Sequence, residues 1–385
     1  FETIPDLETA TVVMEGLFSN PIYKTHLERR NMKQTIMLGF SDGTKDGGYF
    51  MANWSIYKAK ESLSQLATQY GVSIAFFDGR GGPPARGGGN THEFYASMGD
   101  QIQNDDIQLT IQGQTISSNF GTLDSSQYNL EQLLSSGIAN QLINPGKNNL
   151  DAVDRDTMEG MASKSYQAYQ DFKAHPMFIP YLEQMSTLPY YAKTNIGSRP
   201  SKRGKSSSLK FEDLRAIPFV GSWSMLKQNV PGFFGVGTAI QHYKELGEMD
   251  RVKQLYKNSR FFRTLIFNSM MSLTKSFFQL TTYMQNDNEF GTFWKLIFAE
   301  YELTKSMLLE VSSFSFLMEN ETAGKASIHA REEIVQPLLT IQQYALMQLQ
   351  ELKQDAHANL EELSVLETMI TRSLFGNINA SRNSA

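Results

Sequence analysis

Residues 76–92 read FFDGRGGPPARGGGNTH, from Phe76 to His92. Six of these seventeen residues are glycine and two, Arg80 and Arg86, are arginine. A short apolar run, Val72 to Phe77, leads into the stretch, and a helical pattern follows it. Strand, glycine-rich loop and helix in that order is how a parallel α/β sheet presents a loop at the C-terminal end of a strand. Glycine, without a Cβ, lets main chain approach a ligand and adopt positive φ. Arginine supplies a permanently charged planar fork of donors. The combination predicts an oxyanion site, with the following helix N-terminus aimed at the same spot. It is not a nucleotide P-loop, because no GxxxxGK[ST] is present, and the third glycine of a GxGxxG falls on Pro84.

Upstream, Thr35 to Phe40 (TIMLGF) reads as another strand, ending in the acidic, glycine-rich loop SDGTKDGG. Phe50, Trp54, Tyr57, Leu63, Leu66 and Tyr70 then recur at helical spacing, and Gly71 is placed to stop that helix. Strand, helix, strand implies parallel pairing through a crossover helix. Asn90 can cap the next helix, with Glu93 at the reciprocal position. A third strand is expected within Ile107 to Ile116, and two further short ones at Thr194 to Gly197 and Ala216 to Gly221. Between those two lies SKRGKSSSLK, Ser201 to Lys210. Two readings fit it: a polar surface loop, or a mobile lid that carries cations over an anionic substrate. Beyond about residue 236 helical periodicity is almost unbroken, as in Leu360, Leu363, Leu366, Ile370 and Leu374. The expected division is therefore an α/β part over residues 1–235 with the site loops, and a helical bundle over 236–385.

Composition removes several classes. The chain of 385 residues has no cysteine, so disulfides, thiolate metal sites and a cysteine nucleophile are excluded. A net charge of -5 argues against a general nucleic-acid binder. No stretch approaches the roughly 20 apolar residues of a membrane span. No signal peptide is evident, and the expectation is a cytoplasmic protein with neither nucleic acid nor membrane as partner. There is no HExxH and no GxSxG. The chain opens on Phe1-Glu2-Thr3, which reads like the interior of a longer protein.

Asp42 and Asp46 lie just past the first strand, with Lys45 between them. Carboxylates at the C-terminal end of a parallel strand suit Mg²⁺ or Mn²⁺, which keep several waters and take one or two protein carboxylates. Asp and Gly equally suit a turn and a helix cap, and both readings stand. Arg199 and Arg215 flank the last two strand candidates and would line one pocket with Arg80 if all the strands joined one sheet.

Beyond this point the motifs are specific. MLGFSDGTKDGGYFMANWSIYKAKESL resembles the pattern GYSDSxKDAG…W…YKAQE of the phosphoenolpyruvate carboxylase family. FFDGRGGPPARGGGNTH resembles that family's FHGRGGxxxRGGGPTH, and NIGSRPSKR with FEDLRAIPFVGSW resembles GSRPxKR…LRAIPW…W. FETIPDLETATVVME resembles LFETxxDLxxA, and the terminal NASRNSA resembles MRNTG. The resemblance runs from Glu2 to the end and matches the C-terminal part of a longer family chain. The TAHPTE segment, which carries the family's general-base histidine and belongs to its N-terminal half, is not among these residues.

The resemblance implies a mainly α fold with α/β barrel elements: the second half of an eight-stranded (β/α) barrel surrounded by many helices. It implies carboxylation of phosphoenolpyruvate by bicarbonate to oxaloacetate and phosphate, supplying the tricarboxylic acid cycle, in a homo-oligomer that is usually tetrameric. Bicarbonate attacks the phosphate, and the resulting enolate takes up CO₂. Glu2 and Asp42 match the carboxylates that hold Mg²⁺ or Mn²⁺, which favours Asp42 over Asp46. Arg80 and Arg215 match arginines that bind the substrate phosphate, and Arg199 one near bicarbonate. Lys202 and Arg203 fall in a mobile loop. Lys275, Arg331, Asn383 and Arg86 match the site for an inhibitory dicarboxylate, aspartate or malate, with Arg86 shared between inhibition and catalysis. Asp78 stands where the family has histidine, so it is expected to turn away and pair with an arginine, or to tune the site differently. Lacking the general base, the chain alone is expected not to carboxylate. The alternative is a non-catalytic module that binds a dicarboxylate effector.

Overall fold

The computed structural model describes residues 1–111, 113–143, 146–191, 210–354 and 359–381. Arg199, Lys202, Arg203, Asn383 and the strand candidate Thr194 to Gly197 lie outside the described residues.

The N-terminal helices α1 (Ile4–Phe18) and α2 (Pro21–Arg29) precede strand β1 (Lys33–Gly39). Thr3 and Asp6 close a reciprocal capping box at the start of α1, with Pro5 in its first turn. Two helices, α3 (Phe40–Gly47) and α4 (Tyr49–Gln69), then cross to β2 (Ser73–Gly79). The glycine loop and α5 (Thr91–Ala96) lead to β3 (Ile107–Leu109). All pairing is parallel in the order β1-β2-β3, with Lys33 opposite Ser73, Gly39 opposite Gly79, and Phe76 opposite Ile107. Equal register brings the C-terminal ends of β1 and β2 level, so α3 and the glycine loop emerge side by side.

Expectations for α4 hold in detail. Its apolar positions are buried, and Gly71 follows it with a left-handed φ of 66°. The acidic segment after β1 differs: it is α3, a helix rather than a loop, and Gly48 at φ 77° separates it from α4. Eight residues rich in Gly and Asp have little intrinsic helicity; packing of α3 against α4 and the glycine loop supplies the stability.

The remaining helices are α6 (Gln114–Phe120), α7 (Leu123–Ile138), α8 (Ala152–Ala174), α9 (Phe178–Met185), α10 (Leu188–Tyr191), α11 (Ala216–Met225), α12 (Val236–Glu245), α13 (Met249–Asn258), α14 (Arg260–Thr274), α15 (Gly291–Ser312), α16 (Thr322–Gln354) and α17 (Leu360–Ser381). Residues Ala216 to Gly221, expected as a strand, are thus the start of α11. Periodicity cannot separate a buried strand from a buried helix. Here Pro218 falls in the first helical turn, where its missing N–H costs nothing, whereas in a sheet interior it would break the ladder. Among the described residues the sheet therefore has three strands, and the fold is mainly helical around it.

One apolar core runs from Ile4 to Ile328 and takes in both the sheet and the helices α12 to α15. A second, smaller core joins α16 to α17 through Val335, Leu339, Leu346, Leu366, Ile370 and Leu374 and reaches Tyr190, Tyr191 and Met225. Of the periodic residues named in α17, Leu366, Ile370 and Leu374 are buried while Leu360 is exposed. No helix of the described residues is long and apolar enough to cross a membrane.

Candidate anion site and its carboxylates

The glycine loop folds on itself. The main-chain N–H groups of Gly81, Arg86, Gly87, Gly88 and Gly89 donate to the carbonyls of Arg86, Pro83, Pro84, Pro83 and Gly82, at 2.7 to 3.3 Å. A Cβ on Gly88 would stand 1.9 Å from the Gly82 carbonyl oxygen, so only glycine fits there. These N–H groups are not presented as a phosphate cradle; the positive charge comes from the guanidinium groups.

Both loop arginines are buried, Arg80 at 4% exposure and Arg86 at 2%. The Arg80 guanidinium lies 4.2 Å from the Phe94 ring centroid and 5.2 Å from that of Phe40, and its Nε donates to the Gly87 carbonyl. Arg86 Nε donates to Ser41 Oγ at 3.1 Å. Burial pushes the Arg86 guanidinium down to about 10, against the pull of Asp42, so it stays charged at neutral pH.

Helix α3 is the hub that collects the other expected residues. Asp42 occupies its first turn, half-buried and close enough to Arg86 for their charges to interact. Glu2 packs on the same element: its Cα is 3.1 Å from where a Cβ on Gly39 would stand, and its carbonyl oxygen 3.5 Å from one on Gly43. Lys45 Nζ donates to the Leu214 carbonyl at 2.5 Å, which brings Arg215 to α3. Arg215 flanks the start of α11, and its Nε is buried with no hydrogen-bond partner among the described residues. Asp46 has a different job. Its Oδ2 accepts from the Ile4 N–H at 3.0 Å, and Lys173 lies 3.7 Å from its carboxylate, so it anchors α1 to α3 and α8.

Glu2 and Asp42 suit Mg²⁺ or Mn²⁺ as a donor set: two oxygen ligands on adjoining backbone, at the C-terminal end of a parallel strand. Among the described residues no three or more of His, Cys, Asp or Glu form a metal cage. An ion that keeps most of its waters requires none.

Asp78 is fully buried beneath this site. Its carboxylate pairs with Lys60, not with an arginine: Lys60 Nζ lies 2.6 Å from Oδ2, and the Tyr95 hydroxyl donates to the same oxygen at 2.5 Å. Burial pushes the Lys60 ammonium down against the pull of Asp78, and burial beside Asp78 pushes the Tyr95 hydroxyl well up. Asn90 Oδ1 accepts from the Glu93 N–H at 3.4 Å, as expected of a cap. The Glu93 carboxylate does not return the bond but forks onto Arg260 at 2.9 and 2.8 Å.

Lys275 and Arg331 come together in a second cation cluster. Lys275 follows α14, and Arg331 sits near the start of α16. Lys275 lines a cavity of about 20 Å³ with Pro83, Pro84, Ala85, Ser224, Asn229 and Ser272, so this pocket reaches the residues just before Arg86. Burial first, then the charges of Lys227 and Arg331, push the Lys275 ammonium down to about 8. Sequence reasoning missed Lys60, Lys227 and Glu332. Lys60 carries a signal, since Tyr57, Lys60, Ser64 and Ala67 share the buried face of α4. Lys227 and Glu332 carry none.

Fold and site together define a mainly helical protein built on a small parallel sheet, with carboxylates and buried arginines gathered at α3. A family model described as Phosphoenolpyruvate carboxylase matches residues 1–380. The curated phosphoenolpyruvate carboxylase of Rhodothermus marinus is 30% identical over 387 aligned positions, which cover 98% of this chain and 40% of that protein. The chain belongs to the phosphoenolpyruvate carboxylase family, and it spans about two fifths of the length of that relative.

Proposed function

We infer that this chain is the C-terminal catalytic and regulatory part of a phosphoenolpyruvate carboxylase, a carbon–carbon lyase that converts phosphoenolpyruvate and bicarbonate to oxaloacetate and phosphate. The convergence of Glu2, Asp42, Arg80, Arg86 and Arg215 around α3 carries this reading. Arg80 and Arg215 hold the substrate phosphate, where a low-dielectric, preorganised site makes each cation count for more than in water. The Nε of Arg215, which has no hydrogen-bond partner among the described residues, supports this, because a buried donor without an acceptor is costly unless a ligand supplies one. Arg199 stands by bicarbonate, and the loop carrying Lys202 and Arg203 closes over the substrates. Glu2 and Asp42 would hold Mg²⁺ or Mn²⁺, which when bound supplies positive charge for the enolate oxygen. Asp78 acts from below by fixing Lys60 and Tyr95 under Arg80.

The 385 residues alone do not turn over in this reading, because no TAHPTE segment is among them. Oxaloacetate formation coupled to malate dehydrogenase tests both halves. The protein encoded by the whole gene should be active and should lose activity with Arg215→Ala; the 385-residue chain should give no signal. Turnover by the short chain would overturn its dependence on an upstream base, and an inactive whole protein would overturn the assignment.

Regulation follows from the second cluster. Lys275, Arg331, Asn383 and Arg86 bind a dicarboxylate such as aspartate or malate, and the cavity shared by Lys275 and Pro83–Ala85 supports a link from effector to the glycine loop. At about 20 Å³ it has room for about one water, so binding requires the loop to shift. The chain would then bind effector without turnover. Calorimetry with L-aspartate and L-malate should show binding that Arg331→Ala removes.

A further inference from the structure

A cavity of about 220 Å³ lies between the start of α5, helix α14 and the loop that follows α15. Tyr256, Phe267, Met270 and Phe314 give it an apolar side. Four charged residues line it as well: Glu93, Arg260, Arg263 and Glu321. Two of them hold each other, since Glu93 forks onto Arg260. The other two do not. Arg263 Nη1 donates to the Tyr256 and Lys257 carbonyls at 2.9 and 2.7 Å, in the last turn of α13, which fixes the guanidinium in place. Its Nε and Nη2 make no hydrogen bond among the described residues. The Glu321 carboxylate makes none there either and joins no ion pair.

The loop that carries Phe314 and Glu321 has a fixed shape. Ser313 and Met318 take left-handed backbone, at φ 60° and 59°, and neither is glycine. Such backbone persists only where its surroundings over-determine it. Here Met318 is fully buried, and the Ser315 N–H donates to the Glu319 carboxylate at 2.5 Å.

One cation and one anion left over, beside aromatic rings, suit a ligand that is neutral overall, carries both charges and has an apolar body. A free α-amino acid with an apolar side chain is such a ligand. Its carboxylate meets the remaining donors of Arg263, its ammonium meets Glu321, and its side chain leaves water among the rings. The volume lies below the roughly 300 Å³ at which pockets for drug-sized ligands begin, which sets the size at one amino acid.

We propose that this cavity is a binding site for a free apolar α-amino acid, with Arg263 as the carboxylate ligand and Glu321 as the ammonium ligand. Asn90 and Glu93 share its wall, so an occupant touches the segment that leaves the glycine loop, at a place separate from the Lys275 cavity.

Calorimetric titration of L-phenylalanine and L-leucine into the 385-residue chain tests this, with 3-phenylpropanoate and 2-phenylethylamine as single-charge probes. Both amino acids should bind saturably. Each single-charge probe should bind weaker than L-phenylalanine by about tenfold or more, because it leaves one wall charge without its partner. Arg263→Gln and Glu321→Gln should each weaken L-phenylalanine by about tenfold. Arg263 also caps α13, so far-UV circular dichroism and melting check that its variant folds. Glu321 makes no side-chain hydrogen bond among the described residues, so Glu321→Gln keeps the test decisive if Arg263→Gln does not fold. No saturable heat from either amino acid overturns the proposal. Binding that Glu321→Gln and a folded Arg263→Gln both leave unchanged overturns it too, because the ligand then sits elsewhere. So does 3-phenylpropanoate binding as tightly as L-phenylalanine, because the cavity would then take a simple carboxylate.

Discussion

Lys60 and Lys227 each bury an ammonium against one carboxylate, 2.6 Å from Asp78 and 2.5 Å from Glu332. Their surroundings differ. The Lys60 pair is sealed, with side-chain exposures of 3% and 0%, and the Tyr95 hydroxyl completes it. Its cationic neighbour Arg80 is stacked on Phe94 and bonded to the Gly87 carbonyl. The Lys227 pair lies next to Lys275, which lines a small cavity, and its glutamate side chain keeps an exposure of 13%. The difference teaches that a short buried ion pair does not by itself mark a site. What separates the two is how completely each is enclosed: Glu332 keeps a side-chain exposure of 13% where Asp78 keeps none.

The largest effect should come from breaking the sealed pair. Asp78→Asn should lower unfolding stability in urea by about 3–5 kcal/mol, because it leaves Lys60 buried without its counter-charge. Lys60→Met combined with Asp78→Leu should cost much less than either single change, since the uncompensated charge is gone. If the double variant is as unstable as Asp78→Asn, Asp78 is not there to neutralise Lys60.

Next in size is the glycine loop that follows Asp78 in the chain. Gly88→Ala meets the Gly82 carbonyl at 1.9 Å and should cost about 1–3 kcal/mol, the usual scale of overpacking. A variant as stable as wild type in the same urea titration would mean that the loop gives way easily.

The cluster around Lys275 should respond to pH. Lys275 sits at about 8, below the 10.5 of an unperturbed lysine. Between these values the unfolded chain binds the proton more tightly, so stability rises with pH across that window. Dicarboxylate affinity goes the other way: as Lys275, facing Lys227, Arg331 and Glu332, loses its proton above about pH 8, affinity should fall by roughly tenfold per pH unit at most. Affinity that stays flat from pH 7 to 9.5 would remove Lys275 from the ligand set.

The smallest effect concerns a pair that is neither sealed nor at the Lys275 cavity. His92 hydrogen bonding, reinforced by Arg260, holds Glu93 down to about 2. Its contribution is complete above about 4.5, the ordinary glutamate value, and is lost as pH falls toward 2. Arg260→Gln should therefore flatten the decline in melting temperature between pH 5 and 3 by a small margin. An unchanged acid profile would mean that this exposed pair contributes nothing measurable.

Much of the site was legible in the chain because its signals are local. The apolar runs before the acidic segment and the glycine loop became β1 and β2, and the 3.6-residue spacing from Phe50 to Tyr70 became α4. Asp78 drew attention by its position, with an arginine partner or a differently tuned site as the two expectations, and its partner is Lys60. Nothing between two residues eighteen apart in sequence says that the strand and the helix will face each other at that point. SDGTKDGG and AIPFVGSW went astray for a related reason: one has weak helical propensity, the other is apolar on every side, and in both cases packing decided.

By itself the sequence determined the parallel strand order, the crossover helix and its glycine stop, the Asn90 cap and the motifs of the family, because each depends on stereochemistry or periodicity within a few residues. Only the tertiary structure decided that α3 is the hub for Glu2, Asp42 and the arginines, that α11 is a helix, and which lysine meets which carboxylate. Those outcomes depend on burial and through-space charge, which are properties of neighbours that the chain brings together from far apart.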